Sequence, residues 1–328
     1  HPPAGGPAAP PARPPRPADR QTGPPARRAG RPARLTDRQA RPAGRQAVPG
    51  PGPGAGRPAP AGGRPGGRDL LAGMAATDSL LAGALRRDQA GPLLTYYDDR
   101  TGERVELSAG TLANWVAKTA NLLVDDVGLA PGERVAVLLP AHWQTAAVLL
   151  GGWAAGAVLT TDPVAATVAF CTADAVAGCV AAGVPEIFAL PLAPLGRGFD
   201  GEPPAGARDY PADVRGQGDR FAGPPVPPTA AALAGDATAG TPDTSGAELV
   251  TLATARATGL GLLPGDRILS VTGWDAPADW VDGLLAPLAA GASVVLCPFP
   301  DLDRLPARVA AEQVTATLGV TVAAVRTL

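Results

Sequence analysis

Apolar side chains recur at helix and strand spacings from Leu80 to the end of the chain, and are nearly missing before it. A helix is predicted from Thr77, with Asp78 or Ser79 as its cap and Leu80, Leu81, Ala84 and Leu85 as its stripe. Residues 93–97 read as a strand, 98–102 as a turn, and 104–107 as the return strand of a hairpin. Ser108 is placed to cap the next helix, whose Leu112, Trp115, Val116, Thr119, Leu122 and Leu123 share one face. Lys118 falls off that face and is expected in solvent. Gly128 ends the helix.

Residues 134–139 read as a parallel strand buried on both faces, apolar without interruption from Val135 to Leu139. Pro140 closes it, 141–153 read as an apolar helix, Gly156 stops that helix, and 157–159 begin another strand, completing a βαβ unit. The stretch between Val135 and Thr161 carries no charge. Pro140, His142, Gln144, Gly151, Gly152 and Gly156 break it, so strand–helix–strand explains it better than a membrane span. A further strand is predicted at 187–190.

Residues 191–244 are rich in Pro and Gly and read as loop. They contain Gly196-Arg197-Gly198-Phe199-Asp200-Gly201, formally a dinucleotide fingerprint, but Pro203 and Pro204 follow where a helix would have to run. The match is read as accidental. A helix is then expected at 247–258. Gly261-Leu262-Leu263-Pro264-Gly265-Asp266-Arg267-Ile268 repeats Gly128-Leu129-Ala130-Pro131-Gly132-Glu133-Arg134-Val135, with a helix at 280–289 and a strand at 294–296 behind it. The pattern predicts an α/β fold in which one helix–strand–helix–strand module occurs twice, forming parallel sheets with helices around them. The expected divisions are a disordered low-complexity arm (1–73), a first module (74–190), a connecting loop (191–246) and a second module (247–328).

Charge separates the arm from the body. Residues 1–73 hold thirteen arginines against three aspartates, whereas 74–328 hold fifteen basic and 27 acidic residues. The arm's only large aliphatic side chains up to Arg68 are Leu35 and Val48, too few to offset the entropy of ordering. Met74, the single methionine, directly precedes the patterned region. The arm is therefore read as an over-extended start, with an inert tail as one alternative. The other is a basic nucleic-acid-binding arm, salt-sensitive and without an aromatic to stack on bases.

Composition excludes several chemistries. His1 and His142 are the only histidines and Lys118 the only lysine, so multi-histidine metal centres and two-lysine mechanisms are out. Cys171, Cys179 and Cys297 cannot staple a chain of 328 residues. Cys171 and Cys179 read as buried hydrophobes, Cys297 as partly exposed. No G-x-S-x-G elbow occurs. His142 and Trp143 follow a strand end, where open α/β sheets bind ligands, and Trp274 and Asp275 follow its repeat. These four are the candidate ligand-binding residues; no catalytic or metal-binding residue is assigned.

The two modules resemble the N-terminal region of the adenylate-forming enzymes, the AMP-binding superfamily of acyl-CoA synthetases, luciferases and peptide-synthetase adenylation domains. Residues 108–163 are similar to its opening segment and 260–298 to its "G-L-x-P-G-D-R-V-L-S" segment. The likeness is closest to a group of actinobacterial proteins, of unassigned activity, that resemble only this region. It implies an acyl-adenylate chemistry using ATP, and a Ser/Thr/Gly-rich phosphate loop ending in Pro-Lys just before the second module. Gly240, Thr241, Thr244, Ser245 and Gly246 fall in that place as a degenerate phosphate loop, with Asp243 and Glu248 but no lysine. The family's aromatic-His segment corresponds to Gly273-Trp274-Asp275-Ala276, without histidine, and its C-terminal adenine, ribose and lid motifs have no counterpart.

The expectation is a cytoplasmic, non-catalytic homologue, a pseudoenzyme without cofactor, that binds a small acyl or nucleotide-like ligand or a partner protein. The alternatives are an AMP-forming carboxylate ligase, using ATP and Mg, whose lid comes from another chain, and nucleic-acid binding through the arm. Neither a membrane nor, in the lead reading, a nucleic acid is an expected partner.

Overall fold

The computed structural model describes residues 76–236 and 238–328, so the readings of the arm at 1–73 fall outside them. In chain order the elements are α1 (Asp78–Arg87), the hairpin β1 (Pro92–Asp98) and β2 (Glu103–Ser108), α2 (Ala109–Asn121), β3 (Arg134–Leu138), α3 (Trp143–Ala154), β4 (Val158–Thr160), β5 (Val168–Thr172), α4 (Val176–Ala181) and β6 (Glu186–Leu190). The connecting stretch supplies β7 (Arg208–Asp209), α5 (Tyr210–Arg215), β8 (Ala231–Leu233) and β9 (Thr244–Ser245). The second module contributes α6 (Gly246–Gly259), β10 (Arg267–Ser270), α7 (Pro277–Trp280), α8 (Ala286–Ala290), β11 (Ser293–Phe299), α9 (Leu305–Ala311), β12 (Ala316–Leu318) and β13 (Arg326–Thr327).

Local chemistry sets many of these bounds. Ser108 accepts from the Thr111 amide at 3.1 Å and opens α2. Ser245 and Glu248 form a reciprocal capping box on α6. Gly128 takes φ 79° after the α2 extension, where a side chain would be strained. At α1 the N-cap residue is Thr77, without a side-chain bond, and the Ser79 hydroxyl donates to the Ala76 carbonyl.

Two sheets result. One has the order β13-β12-β10-β11-β1-β2, the other β7-β6-β5-β3-β4-β8-β9. Pairing is parallel except for β1–β2 and β8–β9. The N-terminal hairpin, read from sequence with the first module, lies in the sheet of the second, with Leu94 beside Val294 and Tyr96 beside Leu296. The stretch read as loop also yields α5, whose Tyr210 hydroxyl meets that of Thr119 on α2 at 2.7 Å.

Strand alternation builds the layers. Val168 and Phe170 of β5, and Val294 and Leu296 of β11, face a common core with helices α1, α2, α3 and α6. Their neighbours Ala169 and Cys171 face outward to Val176 and Cys179 of α4. Val295 and Cys297 likewise face Leu305 of α9. Each layer therefore buries both faces of a parallel sheet, as such sheets require. No helix among the described residues is long and apolar enough to cross a membrane.

Candidate functional site

In the seven-stranded sheet, β3 has β4 on one side and β5 on the other. Its connection to β4 runs through α3 on the inner face, whereas β5 connects to β6 through α4 on the outer face. The chain thus leaves adjacent strands in opposite directions between β3 and β5. A crevice must open there at the carboxyl ends, the usual ligand position of open α/β sheets.

The crevice is present, with a volume of about 380 Å³, within the range of about 300–1,000 Å³ of small-molecule sites. Val137, Leu138, Leu139 and Pro140 come from the end of β3, Thr161 from beyond β4, and Thr172 and Asp174 from the end of β5. Trp274 and Asp275, beyond β10 of the other sheet, complete it. A larger apolar groove of about 480 Å³ lies between α1, α2 and the 219–224 segment, away from any strand end.

Trp274 is buried, and its carbonyl accepts from the Trp280 indole at 3.2 Å. Its own Nε1 has no partner among the described residues and faces Gly283. Gly283 sits in a π-helical turn (Val281–Leu285) joining α7 to α8. A Cβ there would stand 2.2 Å from Trp274 Nε1. Gly283→Ala is therefore expected to displace the tryptophan and destabilise the fold by about 1–3 kcal/mol. Urea denaturation and the near-ultraviolet circular dichroism of the tryptophans check this; an unchanged spectrum would show that the turn relaxes instead. Asp275 is exposed, and its amide and that of Ala276 donate to Asp279 at 3.0 and 2.8 Å.

His142 and Trp143 take other roles. His142 is the N-cap residue of α3, its Nδ1 accepting from the Gln144 amide at 3.1 Å. Only 1% of it is exposed, and its ring meets that of Tyr96 edge-on at 4.4 Å. Burial, opposed weakly by Asp98, pulls its pKa down to about 3. The neutral imidazole cannot deliver a proton at neutral pH. Trp143 packs edge-on against Trp115 at 5.2 Å in the central core. Neither lines the crevice, whereas Trp274 and Asp275 do.

The five residues assigned to a degenerate phosphate loop are split by the structure. Thr244 and Ser245 form β9, and Gly246 starts α6 with its amide on the Ala230 carbonyl at 2.9 Å. Gly240 and Thr241 belong to the preceding β8–β9 loop, where Gly240 has φ 71°. Asp236, which sequence reasoning passed over, organises that loop. Its Oδ1 accepts from the amides of Thr238 at 2.8 Å and Ala239 at 3.1 Å, and from the Thr238 hydroxyl at 2.6 Å. The Thr238 hydroxyl first, then the two amides, lower its pKa. Asp243 accepts from the Gly235 amide at 2.8 Å and pairs with Arg134 at 3.1 Å.

Lys118 does not extend into solvent as expected. Its ammonium pairs with Asp219 at 2.9 Å and donates to the Gln217 carbonyl, because the turn after α5 folds over α2 and leaves the side chain 21% exposed. Cys297 is likewise buried rather than partly exposed, since α9 covers β11. Burial pushes its thiol up to about 11 despite Arg308 at 2.9 Å, which excludes an activated nucleophile. Cys171 and Cys179 are buried as expected. No helix follows the 196–201 glycines before Tyr210.

No protein-family profile matches the sequence. A protein of Mycobacterium tuberculosis strain H37Rv, described as a TIGR03089 family protein, is 46% identical over 252 residues, covering 74% of this chain and 99% of its own. The chain belongs to the TIGR03089 family. Among solved structures, this family's fold is similar to those of acyl-CoA-forming enzymes. The anthranilate CoA ligase AuaEII matches with a TM-score of 0.58 and 18% identity over 76% of this chain and 50% of its own. Acetoacetyl-CoA synthetase from Streptomyces lividans gives 0.56 and 24% over 74% and 42%. A Brucella canis acyl-CoA synthetase gives 0.57 and 18% over 73% and 47%. The TIGR03089 chain thus spans half or less of these synthetases and shares their fold over that part, as its doubled module leads one to expect.

Proposed function

We propose that this TIGR03089-family protein is a non-catalytic relative of the adenylate-forming enzymes that binds a small molecule in the crevice at the ends of β3 and β5. One observation carries the reading. From the β8–β9 loop to the start of α6, the chain itself takes up the amides: Gly235 donates to Asp243, Thr238 and Ala239 to the Asp236 carboxylate, Thr241 to the Asp236 carbonyl, Ser245 to Glu248 and Gly246 to the Ala230 carbonyl. Pro242-Asp243 stands where the resemblance calls for Pro-Lys. Two like charges about 4 Å apart repel by about 4 kcal/mol at an effective dielectric of 20. A triphosphate would meet the Asp236 carboxylate and an Asp243 whose charge is already paired with Arg134, and no ammonium. The one lysine of the chain is engaged with Asp219 and the 215–219 turn.

ATP–pyrophosphate exchange with a broad carboxylate panel tests this reading. The expected outcome is no exchange above background and no stabilisation by ATP or AMP in thermal unfolding. Robust turnover by the pure chain would overturn it.

A further inference from the structure

The crevice has a sign. Asp174 and Asp275 line it, and both are exposed. Asp174 stays ionised at neutral pH, its carboxylate accepting chiefly from the Thr172 side chain. Two further acids flank the lining segments. Asp162, next to Thr161, accepts from the Val164 amide at 2.9 Å, and Asp279 holds the amides of Asp275 and Ala276. No Arg, Lys or His is among the crevice residues, and none occurs in segments 137–141, 160–162, 172–175 or 272–279 that frame it. The remaining walls are the apolar end of β3, the two threonines Thr161 and Thr172, and Trp274.

This arrangement discriminates by charge. An anion would approach these carboxylates, whereas a cation would gain from them. The acids alone would not make a site. They set the preference of a cavity that the strand topology has already formed at a switch point.

We infer that the crevice takes a protonated amine carried on an apolar body, and rejects carboxylates and phosphate esters of similar shape. The inference rests on the proposal that this crevice is the ligand site. It departs from what the fold's resemblance to carboxylate-activating enzymes leads one to expect.

Three indole compounds of similar size separate the possibilities: tryptamine (cationic), tryptophol (neutral) and indole-3-propionate (anionic). Their binding to the full chain is measured by calorimetry at pH 7 and low ionic strength, then with added salt. Tryptamine is expected to bind about tenfold more tightly than indole-3-propionate, with tryptophol between, and salt should narrow the gap. Asp174→Asn combined with Asp275→Asn should remove most of the tryptamine advantage and leave tryptophol unchanged. Both positions are exposed, so the variant is expected to fold. If tryptophol and the propionate bind as well as tryptamine, or if the double variant keeps the preference, the charge inference fails while the crevice stands as a site. If none of the three binds, the crevice reading fails and the inference with it.

Discussion

Glu312→Ala is expected to destabilise the protein by about 3 kcal/mol at neutral pH, as breaking a mostly buried ion pair does. Glu312 follows α9 with its side chain 7% exposed, and it joins three distant parts of the six-stranded sheet. Tyr97 of β1 donates to it at 2.5 Å, Arg104 of β2 at 2.9 Å, and Arg267 of β10 forms a further ion pair. The Arg267 side chain is itself only 13% exposed. With Glu312 truncated, Arg267 keeps the Thr95 hydroxyl at 3.0 Å and the backbone carbonyl of residue 312, but no counter-charge. Urea denaturation at pH 7 measures the loss; a value under about 1 kcal/mol would show that Arg267 is resolvated without cost.

The same cluster predicts acid lability. Burial alone would raise the Glu312 pKa, but the Tyr97 hydroxyl and the Arg267 and Arg104 guanidinium groups outweigh it and bring it down to about 2. A carboxylate depressed in the fold stabilises fully above its unfolded value and loses that contribution as pH falls through the folded one. The window for Glu312 is therefore from about pH 4.5 down to about 2.

His142 is expected to give the largest pH effect, in a higher window. Its pKa is about 3 in the fold against 6.5 for the free side chain. Between these values the unfolded chain binds the extra proton, so stability rises with pH across the window and is complete above about 6.5. Stability should fall by up to about 5 kcal/mol as pH drops from 6.5 to 3, at about 1.4 kcal/mol per unit. His142→Asn keeps a residue suited to cap α3 and removes the titration. Denaturant unfolding of both proteins between pH 4.5 and 7 isolates the term, because Glu312 is still ionised there. The parent should show the slope and the variant should not. Equal slopes would mean that the imidazole reaches water before the chain unfolds.

The local elements were legible because their causes are local. A 3.6-residue stripe, a Ser108 cap, a Ser245–Glu248 box and a glycine at Gly128 or Gly156 act within one or two turns. The repeated Pro-Gly-acid-Arg turn exposed the doubled module and, through it, the kinship with the synthetase fold. Trp274 and Asp275 were found as strand-end residues by the same logic. Thr172 and Asp174 were not, because β5 spans only five residues and its Val-Ala-Phe-Cys run has no alternation that marks where a strand ends. Asp236 escaped because its neighbours suggested that the loop began later.

By itself, then, the sequence determined the element types, the repeat, the shortage of ammonium and imidazole groups, and the acidity of the body. The tertiary structure alone decided that the N-terminal hairpin joins the second module's sheet and that a crevice opens between β3 and β5. It also decided that Trp274 closes this crevice, that His142 is sealed away from it, and that Glu312 joins Tyr97 across 215 positions. The physical reason is range. Caps and periodicities depend on neighbours within a few residues, whereas strand order, burial and ion pairing depend on which remote surfaces meet, and no short window of sequence records that.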